Sequence, residues 1–177
     1  MALINIWTLL FGSLALLWLL EGARVLWGMS RLPTLRGVCP LADEACPRVS
    51  ILVAARDAAD ELIEALPTLL DQEYPQCEVV VVDDRSSDAT ARVLDDFKTK
   101  YINLKVGNVT HLPPGWIGKP HALARAYEES TGDWLVFTDA DVHIAPDGLR
   151  RVMTLAKDYQ ELLTALAKVR SQHVTIE

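Results

Sequence analysis

The chain has 177 residues, half of them apolar, with 24 acidic against 17 basic side chains and a formal net charge of -7. That much apolar material supplies a core and excludes a disordered chain. An acidic balance without a clustered basic stripe argues against nucleic acid as a partner, and an anionic ligand would need a metal ion or helix N-termini to supply positive field.

Residues 3–20 carry no charge and include eight Leu, two Ile and Phe11. As a helix they would span roughly 27 Å, close to the hydrocarbon core of about 30 Å. At about -0.5 kcal/mol each, those eleven side chains favour insertion by roughly 5 kcal/mol, offset in part by Asn5, Thr8 and Ser13. A cleaved signal peptide would want a basic start and a shorter apolar run, and Met1, Ala2 and Leu3 carry no charge. The expectation is therefore an uncleaved transmembrane anchor over residues 1–27. Arg24, Arg31 and Arg36 follow the uncharged run over residues 3–20 and no basic residue precedes it, which predicts a single-pass protein with its globular domain in the cytoplasm. Cys39, Cys46 and Cys77, an odd number, read as reduced thiols there. The spacing of Cys39 and Cys46 does not suit a zinc knuckle and no His lies near. Residues 28–47, with Pro33, Gly37, Pro40 and Pro47, read as a linker along the membrane surface.

From there apolar runs alternate with helical patterns. Residues 49–55 predict a strand, and residues 59–72 a helix carrying Leu62, Ile63, Leu66, Leu69 and Leu70, with Pro67 a kink. Residues 78–82 predict a second, buried strand, and residues 88–100 an amphipathic helix with Val93, Leu94 and Phe97 on one face. A weaker strand near 103–106 precedes a loop over 107–118. Residues 121–130 predict a helix with Gly132 as its C-terminal cap, residues 134–138 a fourth strand, and residues 146–159 a further helix started by Pro146. Such alternation implies a mainly parallel sheet covered on both faces, with ligands at the carboxyl ends of the strands.

Two acidic clusters fall at those ends. Asp83 and Asp84, followed by Arg85, Ser86, Ser87 and Asp88, come after the second strand; Asp139 and Asp141 come after the fourth. Carboxylates placed there need a cation, a hydroxyl or an N–H group to offset desolvation. Helix capping accounts for Asp88 but not for the pair Asp83 and Asp84. In an extended segment Asp139 and Asp141 would point together, and a hard cation suits them. His143 reads as a surface histidine.

Five motifs in order carry a resemblance: Val49-Ser-Ile-Leu-Val-Ala-Ala-Arg-Asp57, Val82-Asp-Asp-Arg-Ser-Ser-Asp88, Gly118-Lys-Pro-His-Ala-Leu123, Thr131-Gly-Asp133 and Asp139-Ala-Asp141. Over residues 47–159 the chain resembles family 2 glycosyltransferases, and the tract Leu112-Pro-Pro-Gly-Trp-Ile-Gly-Lys119 is similar to the membrane-bound hopene-associated branch. The resemblance implies a GT-A fold, Rossmann-like, holding the nucleotide-sugar-binding part of the enzyme in residues 48–159. It implies that Ala55, Arg56 and Asp57 line the nucleotide pocket, that Asp83 and Asp84 hold the base and ribose region, and that Lys119 stands near the donor. Asp139 and Asp141 would hold the ribose and a Mg²⁺ or Mn²⁺ ion on the diphosphate. The implied reaction is inverting transfer of a sugar from a nucleotide-sugar donor, and the anchor and the branch suggest a lipid acceptor.

Ala58 stands where the family often has Glu, and Ala124 and Ala126 replace a common Asn and Gly. The family takes its general base from a carboxylate well beyond the metal motif, often followed by an Arg-Trp motif. Residues 160–177 contain neither, so the chain reads as truncated, its catalytic base lying beyond the chain end. The alternative is a non-catalytic, membrane-tethered nucleotide-binding or scaffold protein. A phosphate-binding P-loop around Gly118 and Lys119 fails on spacing, since Pro113 occupies the first glycine position and Pro120 replaces Ser or Thr. A receiver-like domain, which also uses paired aspartates at strand ends, normally carries them after its first strand.

Overall fold

A computed structural model describes residues 5–31 and 34–157 of the chain. The chain divides into two compact units between residues 37 and 38.

The first unit is α1, Ile6–Met29, started by Asn5, whose side chain accepts from the Trp7 amide at 3.4 Å. The helix is long and apolar enough to cross a membrane, with mean hydropathy 1.7 and no buried residue. Its charges sit toward the C-terminal end, where Glu21 and Arg24 pair at 2.8 Å, and the Arg31 guanidinium lies 4.0 Å over the Trp27 ring.

The second unit is a four-stranded parallel sheet with helices on both faces. In chain order it contains β1 (Val49–Ala55), α2 (Ala59–Leu70), β2 (Cys77–Asp84), α3 (Thr90–Lys98), β3 (Leu104–Val109), α4 (Gly118–Glu129), β4 (Trp134–Asp139) and α5 (Gly148–Ala156). The strand order is β3-β2-β1-β4. Parallel crossovers are right-handed, so the direction of travel decides which face a helix covers. The chain moves one way from β1 to β2 to β3, which puts α2 and α3 on the same face. It then turns back across the sheet to β4, which puts α4 on the other face.

The cores agree with that geometry. Ile51, Val53, Val79 and Val81 pack with Leu62, Leu66 and Leu69 of α2, Leu94 of α3 and Leu149 and Met153 of α5. Leu52, Val80 and Val82 pack with Ala122 and Ala126 of α4. Strands β1 and β2 are thus covered on both faces, which is why their sequences read as apolar runs. Burying each such Leu, Ile or Val side chain contributes about 1.5–3 kcal/mol. The small residues of α4 let that helix lie close to the sheet.

Several expectations change in the structure. Helix α4 starts three residues earlier than its apolar pattern suggests, because Pro120 is tolerated in a first turn whose amides have no intrahelical partner. Gly132 does not cap α4, which ends at Glu129 with Ser130 as its C-cap. It lies instead where an added Cβ would stand 2.5 Å from the Ser50 amide nitrogen, so the close approach of this turn to β1 excludes a side chain. The linker expected over 28–47 is shorter. Residues 38–47 belong to the second unit, with Leu41 and Cys46 buried in its core. Arg150 and Arg151 of α5 donate to the Leu41 and Val38 carbonyls at 2.8 and 2.6 Å, and the Thr154 hydroxyl donates to the Cys39 carbonyl at 2.9 Å. The end of the last expected helix and the tail over 160–177 lie outside the described residues.

Candidate active site

The reversal of strand order lies between β1 and β4, and it opens a crevice at their carboxyl ends, where ligands bind in such sheets. The register brings Ala55 opposite Asp83 on β2, and Ala54 opposite Asp139 on β4. A cleft of about 410 Å³ sits at this edge, lined by Ala55, Arg56, Asp84, Gly118, Lys119 and Ala140, among others.

Strand β2 runs two residues further than its apolar run and carries both aspartates. Because successive strand residues face opposite sides, they separate. Asp84 follows Val80 and Val82 toward α4, and Asp83 follows Val79 and Val81 toward α2 and α3. Both are buried, at 3% and 4% exposure, so both need partners. Asp84 takes a two-point bond from Arg85, at 2.7 and 3.0 Å, and this bond holds its carboxyl below the usual carboxylate range against the opposing effect of burial. It lies against the first residue of α4: a Cβ on Gly118 would stand 2.4 Å from Asp84 Oδ2. The positive end of α4 and the Arg85 guanidinium therefore both bear on this carboxylate. Asp83 accepts from the Ser86 amide at 3.1 Å, which fixes the turn after β2.

The loops after β1 and β2 are laced together. Asp57 and Arg85 both take the left-handed conformation, at φ 46° and 57°, which costs of order 1 kcal/mol or more at a residue with a side chain. The Asp57 amide donates to Ser86 Oγ at 2.9 Å, and Asp57 Oδ1 accepts from the Ser87 amide and hydroxyl at 2.7 and 3.0 Å. The Ser87 amide, then its hydroxyl, lowers the Asp57 pKa. Asp88 accepts from the Thr90 amide at 2.9 Å and from the Ala59 amide at 3.2 Å, so one carboxylate caps the starts of both α3 and α2. Ala58 has no capping side chain of its own; its amide donates to Thr90 Oγ1 at 2.9 Å.

On the β4 side, Lys119 meets Asp139 at 2.5 Å, and both side chains are more than half exposed. The strand ends at Asp139. Ala140 and Asp141 form a turn closed by the Val142 amide on the Asp139 carbonyl at 3.3 Å. The alternation expected to aim Asp139 and Asp141 the same way therefore stops at Asp139, two residues short of Asp141. Among the described residues no three His, Cys, Asp or Glu side chains gather as a metal cluster. Two exposed carboxylates fit a hard ion that takes its remaining oxygens from a phosphate ligand and water.

Of the residues expected at the site, Ala55, Arg56, Asp84 and Lys119 line the cleft. Asp139 reaches it through Lys119, whereas Asp57 and Asp83 bond to the loops behind. The motif of Thr131, Gly132 and Asp133 lies at the opposite, amino end of the sheet. There Asp133 pairs with Arg48 at 3.0 Å and Thr131 donates to Glu78. Sequence reasoning missed Gly118 as a packing contact and Ser86, Ser87 and Thr90 as loop ties; hydroxyl residues after a strand-end aspartate are the signal that could have found them.

The model of the family described as "Glycosyl transferase family 2" matches residues 50–175. The hyaluronan synthase of Streptococcus pyogenes is 28% identical over 110 residues, 62% of this chain and 26% of that protein. The probable glycosyltransferase YdaM of Bacillus subtilis is 34% identical over 97 residues, 54% of this chain and 23% of that protein. Among solved structures, the mannosyltransferase PcManGT from Pyrobaculum calidifontis, in complex with GDP-Man and Mn²⁺, superposes with a TM-score of 0.63 at 30% identity, covering 84% of this chain and 41% of its own. Residues 1–349 of TarS from S. aureus, in complex with UDP-GlcNAc, give 0.54 at 26% identity, with 63% and 32% covered. The chain thus spans about a quarter of these curated relatives and a third to two fifths of these solved chains. The parallel sheet, the crevice at its reversal point and the matched profile agree: the chain belongs to glycosyl transferase family 2 and carries a GT-A-type nucleotide-binding fold.

Proposed function

We propose that this chain forms the donor site of a membrane-tethered transferase that moves a sugar from a nucleoside diphosphate sugar to a lipid acceptor, with inversion. The observation that carries the reading is Asp84, a buried carboxylate held by Arg85 against the start of α4 and open to the cleft. In this reading Ala55, Arg56 and Asp84 receive the base and ribose. Asp57 and Asp83 act from behind by fixing the two loops. Lys119 and the α4 amides face the diphosphate, as helix N-termini do for anions.

Asp139 and Asp141 would hold Mg²⁺ or Mn²⁺, and the complex of the mannosyltransferase with GDP-Man and Mn²⁺ supports an ion of that kind. Bound there, the ion would offset charge on the departing diphosphate. Helix α1 supports the tether, and the arginines after it support a cytoplasmic domain.

The test is calorimetric titration of the detergent-solubilised chain with UDP and GDP, with and without Mn²⁺. The metal should raise nucleotide affinity, and by linkage the nucleotide should raise metal affinity by the same factor. Asp141→Asn should abolish that coupling. Equal nucleotide affinity with and without Mn²⁺ in the parent would remove the metal from the reading, and no binding of either nucleotide would remove the donor site.

A further inference from the structure

We infer that the donor cleft selects a nucleotide whose base presents one N–H between two carbonyls, as uracil does, and that Arg85 enforces the choice by occupying most of the Asp84 carboxylate. The inference rests on the donor site proposed above. A carboxylate offers about four acceptor positions. At Asp84 two of them are taken by the Arg85 fork, at 2.7 and 3.0 Å. A third, on Oδ2, is closed by the start of α4, where a Cβ on Gly118 would stand only 2.4 Å away. One position on Oδ1 is left for a ligand. Asp84 lines the cleft and Arg85 does not, so the fork grips the carboxylate from behind and leaves that position facing the ligand. The Asp84 side chain is 4% exposed, so water does not make up for a missing partner.

The neighbours of that carboxylate are donors. Among the described residues, the charged side chains lining the cleft are Asp84, Arg56 and Lys119, one acceptor and two cations. Arg56, at the end of β1, stands 3.9 Å from the Asp57 carboxylate with its side chain 57% exposed, so its N–H groups are open to a ligand. Its charge adds to the Arg85 bond in holding the Asp84 carboxyl low. At the start of α4 no side chain caps the helix, and the Gly118 and Lys119 amides have no intrahelical partner. The cleft thus sets a single acceptor among donors from β1 and from α4. Uracil answers with carbonyl, N–H and carbonyl in a row. Guanine puts two N–H groups side by side, so one of them would meet a donor. Cytosine has a bare ring nitrogen where uracil has its N–H, and its amino group lies at the end of the edge. Mispairing of this kind costs affinity, because neither group recovers the bond it made to water. Freed of Arg85, Asp84 would offer both oxygens, which is what two adjacent N–H groups need.

The test is calorimetric titration of the detergent-solubilised full chain, in the presence of Mn²⁺, with UDP, CDP, GDP and UDP methylated on the imide nitrogen. UDP should bind at least about tenfold tighter than each of the other three, the effect of one mispaired buried group. This comparison is made on the parent protein and needs no variant to fold. A second comparison uses Arg85→Asn, because Asn tolerates the left-handed backbone at φ 57° but lacks the fork. The preference for UDP over GDP should narrow in that variant. GDP, CDP or the methylated UDP binding the parent as tightly as UDP overturns the inference and leaves the donor site standing. A UDP to GDP ratio unchanged in Arg85→Asn overturns the role given to Arg85. No binding of any of the four overturns the donor site itself, and the inference with it.

Discussion

Glu78 offers the sharpest test of the scaffold. Its side chain, 16% exposed, sits at the amino end of β2 with every oxygen engaged. Lys105 Nζ stands 2.8 Å from Oε2; Ser50 Oγ and the Thr131 amide donate to Oε1 at 2.6 Å, and the Thr131 hydroxyl at 3.1 Å. Burial alone would raise its pKa, but the bonds from Lys105, Ser50 and Thr131 outweigh it and bring the value from 4.5 down to about 2. A depressed folded-state pKa contributes stability that is fully present above the unfolded value and is lost as pH falls through the folded one. At about 1.4 kcal/mol per unit, the contribution is about 3 kcal/mol at neutral pH, fading between pH 4.5 and about 2. Glu78→Gln keeps the shape and removes the charge. Urea unfolding of the detergent-solubilised chain, followed by far-ultraviolet circular dichroism, should show the variant less stable by up to about 3 kcal/mol at pH 7. The gap should close near pH 2. A gap of the same size at both pH values would refute the reasoning, because the loss would then be one of packing and not of charge.

Four further outcomes are expected. Asp84→Ala should weaken nucleoside diphosphate binding by about 1–3 kcal/mol in calorimetry, whereas Asp83→Ala, on the other face, should chiefly lower the unfolding midpoint. Equal effects of the two on binding would mean that the strand does not separate them. Gly118→Ala places a methyl 2.4 Å from Asp84 Oδ2 and should reduce nucleotide affinity while the far-ultraviolet spectrum stays unchanged. Gly132→Ala meets the backbone of Val49 and Ser50 and should cost about 1–3 kcal/mol of stability, measured by the same urea titration, with nucleotide affinity unaffected in the folded fraction. A reporter fused after Arg36 should register as cytoplasmic; lumenal or periplasmic activity would reverse the topology.

The alternation of apolar runs and helical spacing was enough to read the parallel sheet, because β1 and β2 are covered on both faces and tolerate little else. The cleft residues Asp84 and Lys119 were legible from motif position. What the sequence hid depends on registers and close approaches. The tie between Asp57 and Ser87 spans 30 residues and appears only when two strand ends lie side by side. Asp83 and Asp84 looked like one pair because adjacency in sequence conceals a change of face. Gly132 looked like a helix cap, since a glycine after a helix is common; its neighbour Ser50 is 82 residues away in the chain. The turn at residues 140–141 ended β4 before the expected alternation could act.

The clasp between residues 38–47 and α5 has a consequence for the order of assembly. Its hydrogen bonds join groups 109 to 115 positions apart, and the donors lie on the later partner. On the ribosome, at about 5–20 residues per second, the carbonyls of Val38, Cys39 and Leu41 would wait about 5–23 s for α5 to be made. Until then those three carbonyls lack the donors that α5 supplies. The clasp therefore forms only after all four strands have been made. Contacts formed after the folding transition state slow unfolding without hastening folding. Weakening Arg150 would leave the protein assembling at its usual pace and coming apart sooner.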